Sequence, residues 1–470
     1  MVPRTFVYGV LLFKLAIWRA TCLDRNVTKP IESLVFVSCL DGQKVDPTTG
    51  KYVSQDFWEN ISRDRPDALL WMGDTIYTKC NDIECIREGY RVQASNSYYK
   101  KVVESGVFID GTWDDHDYGV NNGYKTFKYK KESKDLFLDF ISVPKDSERR
   151  RREGVYSSHV FGPPGKQVKV IFLDTRYNRD GYYLHERCGI PQFAHLDTFI
   201  TSVFEASLLT LASVFGCGYS YDGDMLGREQ WIWLEKELSE SEANVNIIVS
   251  SIQVTTLYPV TEGWGHFPES RNKLFSLISK TKAKGVLFLS GDVHFGQILE
   301  LDNGDSDIIE VTSSGITHSI HDNIIERFAI GLTLPLYSKS KLKDGSKSFS
   351  LKRNYGRIEF RYNENDDKTN TIILDVTIRD MEGKTQIHRE LVLKDDAESN
   401  MERLEHLRNL PHVINKKTFK QVFGRACILV VLALWGLQIF LMTVQTVVIS
   451  LSFVLRPLNP FSLGSKAKRD

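Results

Sequence analysis

Six apolar, β-rich runs each end in a polar cluster, and this pattern constrains the fold more than any other feature of the chain. They are SLVFVSCLD (33–41), ALLWMGDTIY (68–77), GVFIDGTWDDHD (106–117), VKVIFLDTR (168–176), VNIIVSSIQV (245–254) and GVLFLSGDVHFGQ (285–297). A strand that is apolar along its whole length, not only at alternate residues, needs cover on both faces. Helical stretches separate several of the runs, among them REQWIWLEKELSE (228–240) and SRNKLFSLISKTKA (270–283). Trp231 and Leu234 fall on one face of the first, as core residues would. The later segments YGRIEFRYNE, NTIILDVTIRD and TQIHRELVL alternate and read as antiparallel strands near an edge. Together these predict an α/β fold, a four-layer α/β/β/α sandwich with its polar clusters on one rim, where such folds hold ligands. Hydrophobic residues, at 42%, suffice for a large core, and Lys+Arg and Asp+Glu balance at 60 each, so no global field points to nucleic acid.

The rim residues are Cys39 and Asp41, Asp74 and Tyr77, Asp114, Asp115, His116 and Asp117, Asp174 and Arg176, and Asp292 and His294. Three carboxylates at the mouth of one apolar strand repel each other and cost desolvation unless something positive sits among them. A pair of metal ions would supply that charge, and Asp74 could give one oxygen to each. A Tyr77 phenolate and a Cys39 thiolate favour ferric iron, whereas the carboxylates suit Ca²⁺, Mg²⁺ or Mn²⁺. A hydroxide held between such ions would be a nucleophile near neutral pH. Taken singly, each cluster also has a structural reading: a GD turn, a core His294 bonded to Asp292, a small buried Cys39. Strand-end clusters of ligand types recurring through one chain leave that reading insufficient. ERRRRE (148–153) reads as a solvated loop.

The two ends carry a topology. Residues 1–22 have the outline of a secretory signal peptide, with an uncleaved signal anchor as the alternative. Ala426 to Leu455 is uncharged and long enough to span a bilayer, and the basic tail 456–470 favours the cytosolic side. This predicts a single-pass type I chain with a lumenal body at 23–394 and a charged juxtamembrane segment at 395–425. The sequons at Asn26 and Asn60 agree with a lumenal body. The terminal KAKRD resembles a dilysine retrieval signal, which implies residence in the endoplasmic reticulum and contact with coat proteins; a plain basic flank is the alternative. Of the seven cysteines, Cys80 with Cys85 and Cys188 with Cys217 are candidate disulfides of an oxidising lumen. Cys39 is then left alone.

The motifs SCLD (38–41), WMGDTIY (71–77), WDDHDYG (113–119), LDTR (173–176), MLGREQWIWLEKEL (225–238), SSIQ (250–253), GWGHFPESR (263–271) and SGDVHFGQ (290–297) resemble, in order, those of the alkaline phosphatase D (PhoD-like) family. That resemblance implies a calcineurin-like metallophosphoesterase fold, hydrolysis of phosphate monoesters or diesters, and a mixed site of iron and calcium. It makes Cys39, Asp74 and Tyr77 iron ligands, with Asp74 also touching calcium, and Asp292 and His294 the late ligand pair. Asp115 stands where related enzymes place a metal-binding Asn, with Asp114 or Asn121 as alternatives. His116 would stabilise or protonate the leaving oxygen. Leu40 and Lys79 depart from the family pattern without removing a ligand. Arg176 could clamp a phosphate oxygen or pair with Asp174. The expected substrate is a small-molecule or lipid phosphate ester; a phosphodiesterase of lipid head groups and a catalytically silent ectodomain are the competing readings.

Overall fold

Ser33–Val37 (β1), Ala68–Met72 (β2) and Phe108–Thr112 (β3) run parallel, and their alternate side chains enter two different cores. The computed structural model describes residues 29–45, 49–78, 80, 82–190, 205–212, 217–218, 220–301, 308–337, 341–362 and 371–393. The other strands are β4 (Ser157–Phe161), β5 (Val168–Phe172), β6 (Val245–Val249), β7 (Val286–Ser290), β8 (Gly296–Leu301), β9 (Ile308–Thr312), β10 (Phe349–Ser350), β11 (Tyr355–Tyr362), β12 (Ile372–Arg379) and β13 (Thr385–Leu393). They form a mixed α/β fold with two sheets, ordered β13-β12-β11-β1-β2-β3 and β10-β8-β9-β7-β6-β5-β4.

The continuous apolar runs have a direct cause in this arrangement. Leu34, Phe36, Leu70 and Met72 of the first sheet meet Val170, Phe172, Val249 and Leu289 of the second in one core. Val35, Val37, Leu69 and Trp71 point the other way, against Trp58, Tyr90 and Phe137 of helices Phe57–Arg63, Ile83–Ser95 and Lys130–Phe140. On the second sheet Ile171, Ile248 and Phe288 pack against Trp231, Leu234, Leu274 and Phe275 of helices Arg228–Ser239 and Pro268–Thr281. The alternating segments became the antiparallel β11–β12–β13 flank, with β13 at its edge.

Register brings the strand ends to one rim. Val37 pairs with Trp71 and Met72 with Thr112; Val249 pairs with Leu289 and Ser290 with Thr312. Hydrogen bonds then stitch the sheets together there: Ser38 Oγ donates to the Ser313 carbonyl at 3.1 Å and Thr112 Oγ1 to the Leu173 carbonyl at 2.6 Å.

Two expectations need correction. ERRRRE is not a solvated loop throughout: Arg149 is buried and donates to Asp110 (2.7 Å) and to the Val155 (2.6 Å) and Gly111 (2.8 Å) carbonyls. Asp110 offered a fixed counter-charge that periodicity does not reveal. Cys80 and Cys85 are joined, but Cys188 and Cys217 are not; both are exposed. Asn60 of the second sequon lies in a helix, where its Nδ2 donates to the Met381 carbonyl at 2.7 Å. Among the described residues no helix is long and apolar enough to cross a membrane. The signal at 1–22, Asn26, Lys79, the segment 395–425, the span 426–455 and the tail lie outside them.

Candidate functional site

The site rests on four residues held in left-handed backbone: Cys39 (φ 58°), Asp74 (φ 51°), Asp292 (φ 69°) and His294 (φ 58°). Cys39, Asp74 and Asp292 stand two residues past the ends of β1, β2 and β7, and His294 two residues before β8, so sharp turns aim these side chains into the rim. Non-glycine residues in this region are strained and persist where surrounding structure enforces them. Gly73, at φ +96°, precedes Asp74, and a Cβ there would stand 2.5 Å from that of Asp114. Only glycine allows β2 and the Asp114 turn to approach so closely.

Two ligand-type clusters result, and Asp74 belongs to both. Atoms of Cys39, Asp74 and His294 lie within 4.8 Å of one another, as do carboxylate oxygens of Asp74, Asp114, Asp115 and Asp292. A third grouping joins Asp74 and Asp115 to His116. Tyr77 completes the first cluster: its hydroxyl donates to Asp74 Oδ2 at 2.7 Å and lies 3.1 Å from His294 Nε2. Ser314 Oγ accepts from the His294 N–H at 2.7 Å and lies 3.1 Å from Cys39 Sγ. The His116 ring rests against Tyr77, with centroids 4.0 Å apart.

Behind the carboxylates lies a buried charged network. Arg176 donates to Asp114 Oδ1 and, through both terminal nitrogens, to Glu262; Ser251 Oγ donates to the same Asp114 oxygen at 2.7 Å. Arg179 donates to Glu262 at 3.0 Å and to the Asn122 carbonyl at 2.6 Å, and the Asn122 N–H donates to Asp115 Oδ2 at 2.6 Å. Arg176 therefore takes neither expected role. Its guanidinium is fully buried and committed to Asp114 and Glu262, so it does not face a substrate. Asp174 only braces backbone, accepting from the Arg176 and Tyr177 N–H groups at 2.9 Å and from Val155 at 2.8 Å. Asp117 is likewise a cap, accepting from Thr75, Asp114 and Tyr90. Asp41 accepts from the Gln43 N–H at 2.9 Å and is in none of the three groupings.

The charge of this pocket is unbalanced when its carboxylates are ionised. Arg176 and Arg179 are matched by Asp114 and Glu262, and among the described residues no Lys or Arg pairs with Asp74, Asp115 or Asp292. Burial and then the neighbouring Cys39 and aspartates push the Asp74 carboxyl well above its ordinary value; burial and then nearby Glu262, Asp114 and Asp115 do the same to Asp292. Burial raises Asp114 to about 6 against the pull of Arg176, and raises the Cys39 thiol to about 11. Burial and then the His116 and Lys44 charges depress His294 to about 4, leaving it neutral as a ligand must be. Asp114 Oδ2 and Asp115 Oδ1 are buried with no hydrogen-bond partner, as oxygens kept for a metal would be. The donor set fits metal ions.

The sequence alone assigns no role to Glu262, Arg179, Ser314 or His318, and it holds Ser251 only as part of SSIQ. The His318 ring stands 4.4 Å from His294 and 4.8 Å from Tyr77, measured between centroids. Glu262 immediately precedes the GWGHFPESR motif, and that adjacency was its one available signal.

Buried carboxylates from several strand ends, one shared between ligand-type clusters, define a candidate metal-ion site at the rim of a two-sheet α/β fold. A family model described as PhoD-like phosphatase matches residues 87–329. The chain belongs to the PhoD-like phosphatase family and is a phosphoric ester hydrolase, which sets aside the silent-ectodomain reading. Cys39, Asp74 and Tyr77 lie upstream of the matched span and join the site through the fold. The chain is also similar to a solved structure titled "Structure of PhoD", at 14% identity over 82% of this chain and 78% of that one, with a TM-score of 0.47. A 5'-nucleotidase precursor from Thermus thermophilus matches at 12% identity over 80% of this chain and 58% of that one, with a TM-score of 0.29. No curated protein matches.

Proposed function

We propose that this chain is a membrane-anchored, metal-dependent phosphatase with a four-layer metallophosphoesterase body, cleaving phosphate monoesters, diesters or both on the lumenal side of the secretory pathway. The observation that carries this reading is the shared position of Asp74 in both ligand clusters. Cys39, Asp74, Tyr77 and His294 offer the sulfur, phenol and imidazole donors that suit ferric iron. Asp74, Asp114, Asp115 and Asp292 offer the all-oxygen set that suits Ca²⁺, with Mg²⁺ or Mn²⁺ as alternatives. When bound, the ions supply Lewis acidity toward the phosphoryl oxygens and toward water.

The remaining chemistry belongs to the chain's own groups. Glu262 and Arg176 fix one oxygen of Asp114, while Arg179 and Asn122 fix one of Asp115, so each carboxylate keeps a second, buried oxygen without a hydrogen-bond partner. Near-complete burial of Asp74, Asp114 and Asp115 excludes water and strengthens every charge interaction in the site. His116, braced on Tyr77, is the group assigned to hold or donate the proton needed by the leaving oxygen. The uncharged stretch 426–455 supports anchoring, and KAKRD supports retrieval to the endoplasmic reticulum through coat proteins.

The test is turnover of nitrophenyl phosphate and bis(nitrophenyl) phosphate by the purified full chain, with metal analysis. Chelation and Asp74→Ala should each lower turnover by more than about 100-fold. Full activity in Asp74→Ala, or protein devoid of stoichiometric metal yet active, would refute the assignment.

A further inference from the structure

The helix Ile324–Tyr337 grows out of the rim of the site. It follows His318 closely in sequence, and the Ile320 N–H donates to the His294 carbonyl at 3.0 Å, tying the helix entry to a candidate ligand. Its inner face buries Ala329, Ile330, Thr333 and Leu334. Its outer face is apolar too: Ile324 is 70% exposed, Phe328 71% and Leu332 49%. Their spacing of four places them in one ridge along the helix. Pro335 extends the ridge and Arg327 lies on its flank. A helix apolar on both faces is out of place against water. The turn that follows presents exposed Lys341, Lys343 and Lys347.

An exposed apolar ridge on a surface helix, with Arg327 beside it, is the pattern of helices that lie in a bilayer interface. The same chain carries the uncharged stretch 426–455, joined to the end of β13 by residues 394–425, so a bilayer is within reach of the folded body. We infer that Ile324, Phe328 and Leu332 seat in the head-group boundary of the membrane that carries the chain. Seated there, the ridge holds the mouth of the metal site at head-group level. A phosphate ester borne on a lipid then reaches the site without leaving the membrane. This rests on the reading of 426–455 as a span, and the substrate consequence rests on the phosphatase reading.

The test uses the full chain reconstituted in vesicles of phosphatidylcholine, phosphatidylserine and phosphatidic acid. Accessible native cysteines are replaced by serine, and an environment-sensitive fluorophore is placed on Phe328→Cys or, as a control, on Ile232→Cys, a position exposed on the outer helix of the second sheet. Nitroxide lipids should quench the label at 328 at least about twofold more than at 232. In parallel, a Phe328→Asp, Leu332→Asp variant should hydrolyse vesicle phosphatidic acid at least about tenfold more slowly while nitrophenyl phosphate turnover is unchanged. Equal quenching at the two positions overturns the inference. So does a label at 328 shielded from aqueous iodide but untouched by nitroxide lipids, because a second copy or the 426–455 segment would then cover the ridge. Release of the chain from vesicles by carbonate removes the span and the inference with it. Selective quenching without turnover of either ester supports docking while the phosphatase reading fails. Quenching decides the matter if the doubly charged variant does not fold.

Discussion

Arg176 meets Glu262 in a two-point contact, Nη1 to Oε1 at 3.2 Å and Nη2 to Oε2, with both side chains buried. From Glu262 one path runs through Arg176 to Asp114 and another through Arg179 and Asn122 to Asp115. Burial opposes the charge on Glu262, but Arg176 and then Arg179 hold its carboxyl down at about 2. Replacing it with Gln leaves two buried guanidinium groups short of a counter-charge. Glu262→Gln should therefore lose about 3–5 kcal/mol of stability. Affinity for the oxygen-bound metal should fall about 10–100-fold. Denaturant titration and metal binding to the purified variant check both.

Gly73→Ala adds one methyl group where none fits. The φ of +96° disfavours any side chain, and the new Cβ would lie 2.5 Å from the Asp114 Cβ, so either Asp74 or Asp114 must move. The substitution should cost more than about 1 kcal/mol. It should also lower turnover disproportionately, because misplacing a ligand costs rate before it costs fold. Thermal midpoint and nitrophenyl phosphate turnover, measured side by side, separate the two effects.

Asp110 makes stability depend on acid. Burial alone would raise its pKa, but Arg149 and then His159 more than offset this and hold it well below its ordinary 3.8. A carboxylate with a depressed folded pKa contributes stability fully above its unfolded value, and that contribution is lost as pH falls below 3.8 toward the folded value. Asp110→Asn should lose about 3–5 kcal/mol near pH 7, since Arg149 is left buried and unpaired. The gap between wild type and variant should narrow as pH drops below 3.8. Guanidinium unfolding at neutral and acid pH measures that gap, and a gap constant with pH would exclude this origin.

Cys39→Ser exchanges a thiol for a harder, shorter donor at one of the two clusters only. Sulfur selects iron more strongly than it selects calcium. On the proposed iron–calcium assignment, iron content should fall by more than about tenfold while calcium content stays near wild type. Elemental analysis of the purified protein reads both at once; parallel loss of the two metals would contradict separate clusters.

Much of this fold was legible because its strands are buried on both faces. Phe36 and Val37, or Leu70 and Trp71, enter different cores, so the runs had to be apolar throughout. The rim was legible because ligand-type residues stood at strand ends, and Cys39, Asp74, Tyr77, Asp115, Asp292 and His294 are brought together there. Buried charge was not legible. Arg149 looks like one residue of a basic run and Glu262 like one acid of a loop, and their burial depends on Asp110 and Arg176, far away in sequence. Arg176 was misread for the same reason. Cys188 and Cys217 were paired on count alone, and both remain exposed and unjoined.

Cys39, Asp74, Asp292 and His294 hold left-handed backbone that few L-amino acids accept without strain. A replacement at any of them must satisfy two demands at once, a donor atom and a permissive Cβ. One mutation is enough to abolish such a position, while few single changes restore it. Descendants of this chain should therefore lose the centre readily and regain it rarely.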